Sequence, residues 1–153
     1  MTTETTTHSA DETVAFGRKL ALDLAPPLVV LLSGDLGAGK TTLVKGIAEG
    51  FGAAEADDVT SPTFTLIHEY HGPHKDVFHI DLYRLDKPGE LDSLGLEDLM
   101  QEERNVLLIE WGEKFPRILQ HKDAEIVILR VEHDERKVRL MRQRAKEKNI
   151  RLC

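Results

Sequence analysis

Cysteine is almost missing from this chain: one occurs in 153 residues, and it is the last, Cys153. A single thiol excludes an internal disulfide and any zinc cluster built on cysteines, and it suits a reducing compartment. Positive charge is outnumbered. Twenty Lys and Arg stand against 27 Asp and Glu, leaving a net charge of -7. A surface that grips nucleic acid broadly must neutralise phosphates with Lys and Arg, so this balance argues against one. No apolar run approaches the ~20 residues of a membrane span. The opening MTTETTTHSADE has neither the basic nor the apolar region of a secretory signal. The expected setting is cytoplasmic, with no membrane. The Thr-rich start reads as a frayed polar lead-in, with residues 1–8 disordered. Composition is otherwise ordinary for a globular protein, at 41% hydrophobic and 31% charged, and the length fits one domain over residues 1–153. Neither an internal repeat nor an interdomain linker is visible.

Ser9-Ala10-Asp11-Glu12 has capping-box spacing and predicts a helix start. Val14, Phe16, Leu20, Leu22 and Leu24 continue it as an apolar face, ended by Pro26-Pro27. Leu28–Leu32 is five apolar residues between turn signals, the mark of a strand buried on both faces. A glycine-rich loop follows, then a helix from about Thr41 to Phe51 with Leu43, Val44 and Ile47 inward. A polar, acidic connection runs from Gly52 to Pro62. Phe64–Tyr70 and Val77–Leu82 read as strands around a Gly72-Pro73 turn. Leu91–Met100 has short helical patches, Val106–Ile109 is a second buried strand ending on Glu110, and Phe115–Leu119 reads as a short helix. Ala124–Val131 and Val138–Met141 read as strands around a charged turn. This order predicts an α/β domain with a mainly parallel sheet flanked by helices and C-terminal antiparallel strands.

Gly34-Asp35-Leu36-Gly37-Ala38-Gly39-Lys40-Thr41 matches G-x-x-x-x-G-K-[ST] in full. Glycines let the backbone curl around a phosphate and turn its amides inward, and the helix that follows adds its positive N-terminal end. Lys40 reaches the β- and γ-phosphates, and the Thr41 hydroxyl suits Mg²⁺. The amides of Asp35, Leu36, Gly37, Ala38 and Gly39, with Lys40, Thr41 and Thr42, are the candidate nucleotide contacts. Such a loop needs an acid on a neighbouring strand, and two qualify: Glu110 and Asp81, both expected at the carboxyl edge of the sheet. The longer apolar run before it makes Glu110 the better metal candidate. Ser61-Pro62-Thr63 lies where many nucleoside triphosphatases keep a switch hydroxyl, and it reads equally as an ordinary turn. His68, His71, His74 and His79 form a loose cluster, but strand alternation would scatter them over both faces. Arg130–Arg151 carries nine Lys/Arg against four Asp/Glu, either a patch for RNA or an acidic partner or a solvated terminal segment; the basic tail is placed at 142–153.

Together these strings resemble the bacterial TsaE family, the ATPase component of the machinery that installs threonylcarbamoyl on adenosine beside the anticodon of certain tRNAs. The matching segments are Ser33–Leu43 (SGDLGAGKTTL), Ser61–Leu66 (SPTFTL), His79–Leu85 (HIDLYRL), Leu94–Asp98 (LGLED) and Leu108–Trp111 (LIEW). The phosphate loop is shared by many families; HIDLYRL with LIEW is far more specific. The resemblance implies ATP and Mg²⁺ as cofactors, Thr41 and Glu110 as metal ligands, and Asp81 as a catalytic or metal-linked acid. It further implies Trp111 as a functional neighbour of Glu110, Thr63 in the switch segment, and positions near Ala10 and His133 around the base. Partners would be the TsaD and TsaB proteins, with tRNA held through them. The basic tail after Met141 departs from the short ending expected of the family.

Three other readings stay open on sequence. A small GTPase is one: Asp86–Gly89 and Asp92–Gly95 match D-x-x-G, but no N-K-x-D string reads guanine. A small-molecule kinase is another, although the arginines cluster after the last strand and not in a lid. The third is a module that binds ATP without hydrolysing it.

Overall fold

Leu28–Leu32 is apolar at every position because both faces of its strand are covered. The computed structural model describes residues 2–35, 38–53 and 67–142. In it this segment is β2 (Leu28–Ser33), the middle strand of a seven-stranded sheet. The others are β1 (Thr2–Thr7), β3 (Ile67–His71), β4 (Asp76–Asp81), β5 (Asn105–Glu110), β6 (Ala124–Glu132) and β7 (Glu135–Arg142). Their spatial order is β1-β7-β6-β2-β5-β4-β3. β6, β2, β5 and β4 form a parallel centre, while β3, β7 and β1 pair antiparallel at the margins. The predicted single α/β domain with C-terminal antiparallel strands is the one observed.

Period-two alternation divides the core into two layers. Val30, Leu32, Val77, Val106, Leu108, Ile126 and Ile128 face α1 (Ala10–Ala21) and α2 (Lys40–Gly50), whose Leu20, Leu43, Val44 and Ile47 close that side. Val29, Leu31, Phe78, Ile80, Leu107 and Ile109 face the other way. Leu91 of α3 (Pro88–Asp92), Leu96 of α4 (Leu96–Gln101) and Ile118 of α5 (Pro116–His121) cover them. Each fully buried Leu or Ile contributes about 1.5–3 kcal/mol of transfer free energy. Both layers therefore anchor the strand ends that carry the polar residues.

Two expectations need correction. The Thr-rich start is not disordered: Thr2–Thr7 is an edge strand in register with β7, from Thr2 against Met141 to Thr7 against Arg136. β-Branched threonines suit a pleated edge, and Thr7 is buried with its hydroxyl 2.7 Å from that of Thr13. Leu22 does not belong to the buried face of α1. The helix stops at Ala21, before the prolines, and Leu22 caps it at 78% exposure. The helix start is as read, with Ser9 Oγ accepting from the Glu12 amide at 3.1 Å. Phe64–Leu66, most of the acidic connection and the tail from Gln143 lie outside the described residues.

The two helices on the phosphate-loop side approach through glycine. A Cβ on Gly46 of α2 would lie 2.1 Å from the Val14 carbonyl oxygen and 2.9 Å from Gly17 Cα. Both are backbone atoms, so nothing flexible can yield, and Gly46→Ala must push α1 and α2 apart. The expected cost is about 1–3 kcal/mol, seen as a melting-temperature drop of roughly 3–10 °C in thermal unfolding. An unchanged melting temperature would show that the helices are not in contact here.

Candidate functional site

The strand β2 ends on Ser33, and the chain then turns sharply enough that Gly34 takes φ 155° with its α-carbon against β6. A Cβ there would stand 2.3 Å from the Ile128 carbonyl oxygen, so only glycine fits. The loop reaches Gly39, which caps α2 in the left-handed region at φ 104°. The helix begins on Lys40, with Thr41 and Thr42 in its first turn, both half-buried. Asp35 is exposed and Ala38 buried, while Leu36 and Gly37 lie outside the described residues. Strand, glycine turn and helix N-terminus thus meet at the carboxyl edge of the parallel strands, where open α/β sheets bind ligands.

Lys40 does not extend into solvent. Its ammonium donates to the Gly34 carbonyl at 2.8 Å and lies 3.2 Å from Glu110 Oε1. Glu110, last residue of β5 and buried, uses its other oxygen to accept from His79 Nε2 at 2.6 Å. Parallel register explains the meeting. Glu110 pairs with Leu32 on one side and Asp81 on the other, and it shares a face with them and with α2. Burial pushes the Glu110 carboxyl up. The hydrogen bond and charge of His79, and then those of Lys40, outweigh burial and hold it below its ordinary 4.5. Asp81 ends β4 beside it, and its Oδ1 accepts from the Tyr83 amide at 2.9 Å, which closes a tight turn out of the strand.

Trp111 follows Glu110 in the left-handed region at φ 64°, a conformation that costs a bulky residue about 1–3 kcal/mol. It caps a one-turn 3₁₀ segment, Gly112–Lys114, and its half-exposed ring lies 5.2 Å from that of Tyr83. Ala10 is the first residue of α1, and His133 (φ 43°) sits in the turn between β6 and β7. The segments that carry them are tied together: Thr7 pairs with Arg136, and His8 Nδ1 lies 3.2 Å from Glu135 Oε1. Thr63 and the rest of Ser61–Thr63 lie outside the described residues.

Two residues near the site were missed on sequence. Sequence spacing groups His79 with three other histidines, yet of the four it alone touches the acid. His71 packs against Phe78 on the opposite face, and His68 contacts Tyr70 on the edge strand. The available signal was its spacing of two from Asp81 in a strand. Arg136 is the other: a Cβ on Gly39 would meet its Nε at 3.5 Å. That places an arginine side chain beside the loop, in a hairpin no local motif marks. The D-x-x-G strings fall elsewhere, on the opposite side of the sheet: Asp86 precedes α3, and Asp92 pairs with Arg117.

At the far, amino-terminal end of the sheet, Asp76 accepts from Arg104 Nε at 2.9 Å and Nη2 at 3.1 Å. Burial raises its carboxyl, but bonds from Arg104 and His71 prevail and hold it below its ordinary 3.8. A carboxyl whose folded pKa is depressed adds stability above its unfolded value, and that stability is lost as pH falls through the folded one. Melting temperature is therefore expected to hold from neutral pH down to the ordinary Asp value near 3.8 and to fall below it. Asp76→Asn should flatten that acid limb; an unchanged limb would remove Asp76 from the explanation.

Fold and loop define a P-loop α/β protein, the class whose glycine turn and helix N-terminus are shaped for phosphate. The family model described as "Threonylcarbamoyl adenosine biosynthesis protein TsaE" matches residues 7–138. This chain belongs to the TsaE family. Relatives carrying the name tRNA threonylcarbamoyladenosine biosynthesis protein TsaE include one from Haemophilus influenzae, 41% identical over 140 residues (88% of this chain, 86% of that protein). Another, from Bacillus subtilis, is 39% identical over 132 residues (86% and 80%). The crystal structure of Bacillus subtilis YdiB superposes with a TM-score of 0.73 at 31% identity, covering 99% of this chain and 93% of that one. No helix among the described residues is long and apolar enough to cross a membrane.

Proposed function

We propose that this chain is the Mg²⁺-dependent ATPase of tRNA threonylcarbamoyladenosine formation, working in the cytoplasm with TsaD and TsaB and not transferring the threonylcarbamoyl group itself. The observation that carries the reading is the meeting of Lys40 with Glu110 at 3.2 Å. It puts the phosphate-loop cation and a buried, ionised acid at one point on the sheet edge. The donor set suits Mg²⁺: the Thr41 hydroxyl and the Glu110 and Asp81 carboxylates are the hard oxygens this ion takes, and Glu110 already faces a cation. Bound Mg²⁺ would supply neutralisation of the charge that builds on the β- and γ-phosphate oxygens.

The chain's own residues do the rest. Amides of Asp35 to Gly39 and the N-terminus of α2 receive the phosphates, and Lys40 exchanges Glu110 for them. Glu110 and Asp81 would hold the metal and orient the attacking water, the chemistry being ATP and water to ADP and phosphate. Ala10 and His133 flank the base, with Trp111 beside the metal acid and Thr63 as the hydroxyl that senses the γ-phosphate. The net charge of -7 fits a subunit whose partners hold the tRNA. Competition binding separates this from a GTPase: ATP should displace a labelled adenine nucleotide at concentrations where GTP does not. Equal displacement by both would sink the adenine reading.

A further inference from the structure

The side of the sheet that faces α2 is apolar until its last residues. Val77, Val106 and Leu108 are fully buried there, and His79 sits among them with no exposed surface. A buried imidazole in such a place is costly unless it is hydrogen-bonded, and a Val or Ile would fill a strand position more cheaply. His79 nevertheless makes one bond, from Nε2 to Glu110 Oε2 at 2.6 Å. Its Nδ1 is buried and has no partner among the described residues. The ring is therefore tethered to the carboxylate and to nothing else described. That tether divides the labour of the two Glu110 oxygens. Oε2 is taken by the imidazole, which fixes the plane of the carboxylate. Oε1 is left facing Lys40 and the loop.

We infer that His79 is the positioning residue for Glu110: it holds one oxygen so that the other is presented, already oriented, to the metal of a bound Mg²⁺–nucleotide. His79 itself touches neither nucleotide nor metal. The inference rests on the Mg²⁺–ATP reading above and adds to it a residue outside the loop and the acids. Partners that orient metal-binding carboxylates lower metal affinity by about 10–100-fold when removed. A histidine kept only for packing would change stability and leave the metal requirement alone.

The test is calorimetric titration of ATP into wild type, His79→Leu, His79→Asn and His79→Gln, in chelator and over a Mg²⁺ series, with thermal unfolding to confirm folding. In chelator all four should bind ATP within about twofold, while half-saturating Mg²⁺ should rise about 10–100-fold in the Leu and Asn variants. Asn offers a buried amide too short to reach Glu110, so it serves if the Leu variant does not fold. Gln extends an N–H to about the place of Nε2 and should recover most of the Mg²⁺ affinity. Wild-type Mg²⁺ dependence in folded Leu or Asn variants would overturn the inference. So would an equal loss of ATP binding in chelator, or failure of Gln to recover. A wild type that bound no ATP under either condition would instead overturn the nucleotide reading itself, before any variant was compared.

Discussion

Lys40→Ala is expected to weaken ATP binding by about 100-fold or more. Each charge-assisted hydrogen bond contributes about 1.5–3 kcal/mol, and the ammonium is placed to meet two phosphates. The contact between Lys40 and Glu110 adds a second term. Lys40 lies 3.2 Å from Glu110, which is buried. Removing the ammonium leaves that carboxylate facing the incoming phosphates with His79 as its one counter-group among the described residues. Electrostatic repulsion in a poorly solvated site is stronger than in water, so both terms act in the same direction. Isothermal calorimetry measures the result, and wild-type affinity in a folded Lys40→Ala protein would remove the loop from the binding site.

Glu110→Gln should do the opposite to binding and far worse to turnover. The amide keeps the volume of the side chain, and it no longer competes for Lys40. ATP affinity in the absence of Mg²⁺ should thus stay level or tighten. Hydrolysis should fall by about 10²–10⁴-fold, the range expected when a group that orients or deprotonates the attacking water is lost. Asp81→Ala should show the same split, with hydrolysis suppressed more than binding. Glu110→Ala would be a poorer test, because it opens a cavity and strands the buried His79 without its acceptor. Single-turnover rates alongside binding constants separate the two effects. Turnover at the wild-type rate in Glu110→Gln or Asp81→Ala would strike that residue from the catalytic set.

The phosphate loop and Glu110 were legible because their signals are local. Eight consecutive residues carry the loop, and Glu110 ends an apolar run whose polarity changes abruptly at the sheet edge. His79 was not legible as a partner of Glu110, because their contact is made by parallel strand register across 31 positions. Strand alternation, which scatters the histidines over both faces as expected, does not say which of them meets the acid. Arg136 was hidden for a related reason: its place beside Gly39 depends on how the β6–β7 hairpin folds back on the loop. The N-terminal threonines carry no apolar alternation, so their strand could be seen only once β7, at the other end of the chain, offered an edge.

Steady-state phosphate release with Mg²⁺ and ATP, measured for the chain alone and with TsaD and TsaB added singly and together, bears most directly on the ATPase reading. No motif marks an internal arginine finger, and Arg136, the arginine beside the loop, already donates to the backbone carbonyls of His133 and Glu135. A supplied arginine raises such rates by ~10³–10⁵. Slow release from the isolated chain, abolished by Lys40→Ala and raised well above it by the partner pair, is the expected result. Release that is fast alone and indifferent to the partners would point to a stand-alone hydrolase, and none under any condition would contradict the ATPase assignment.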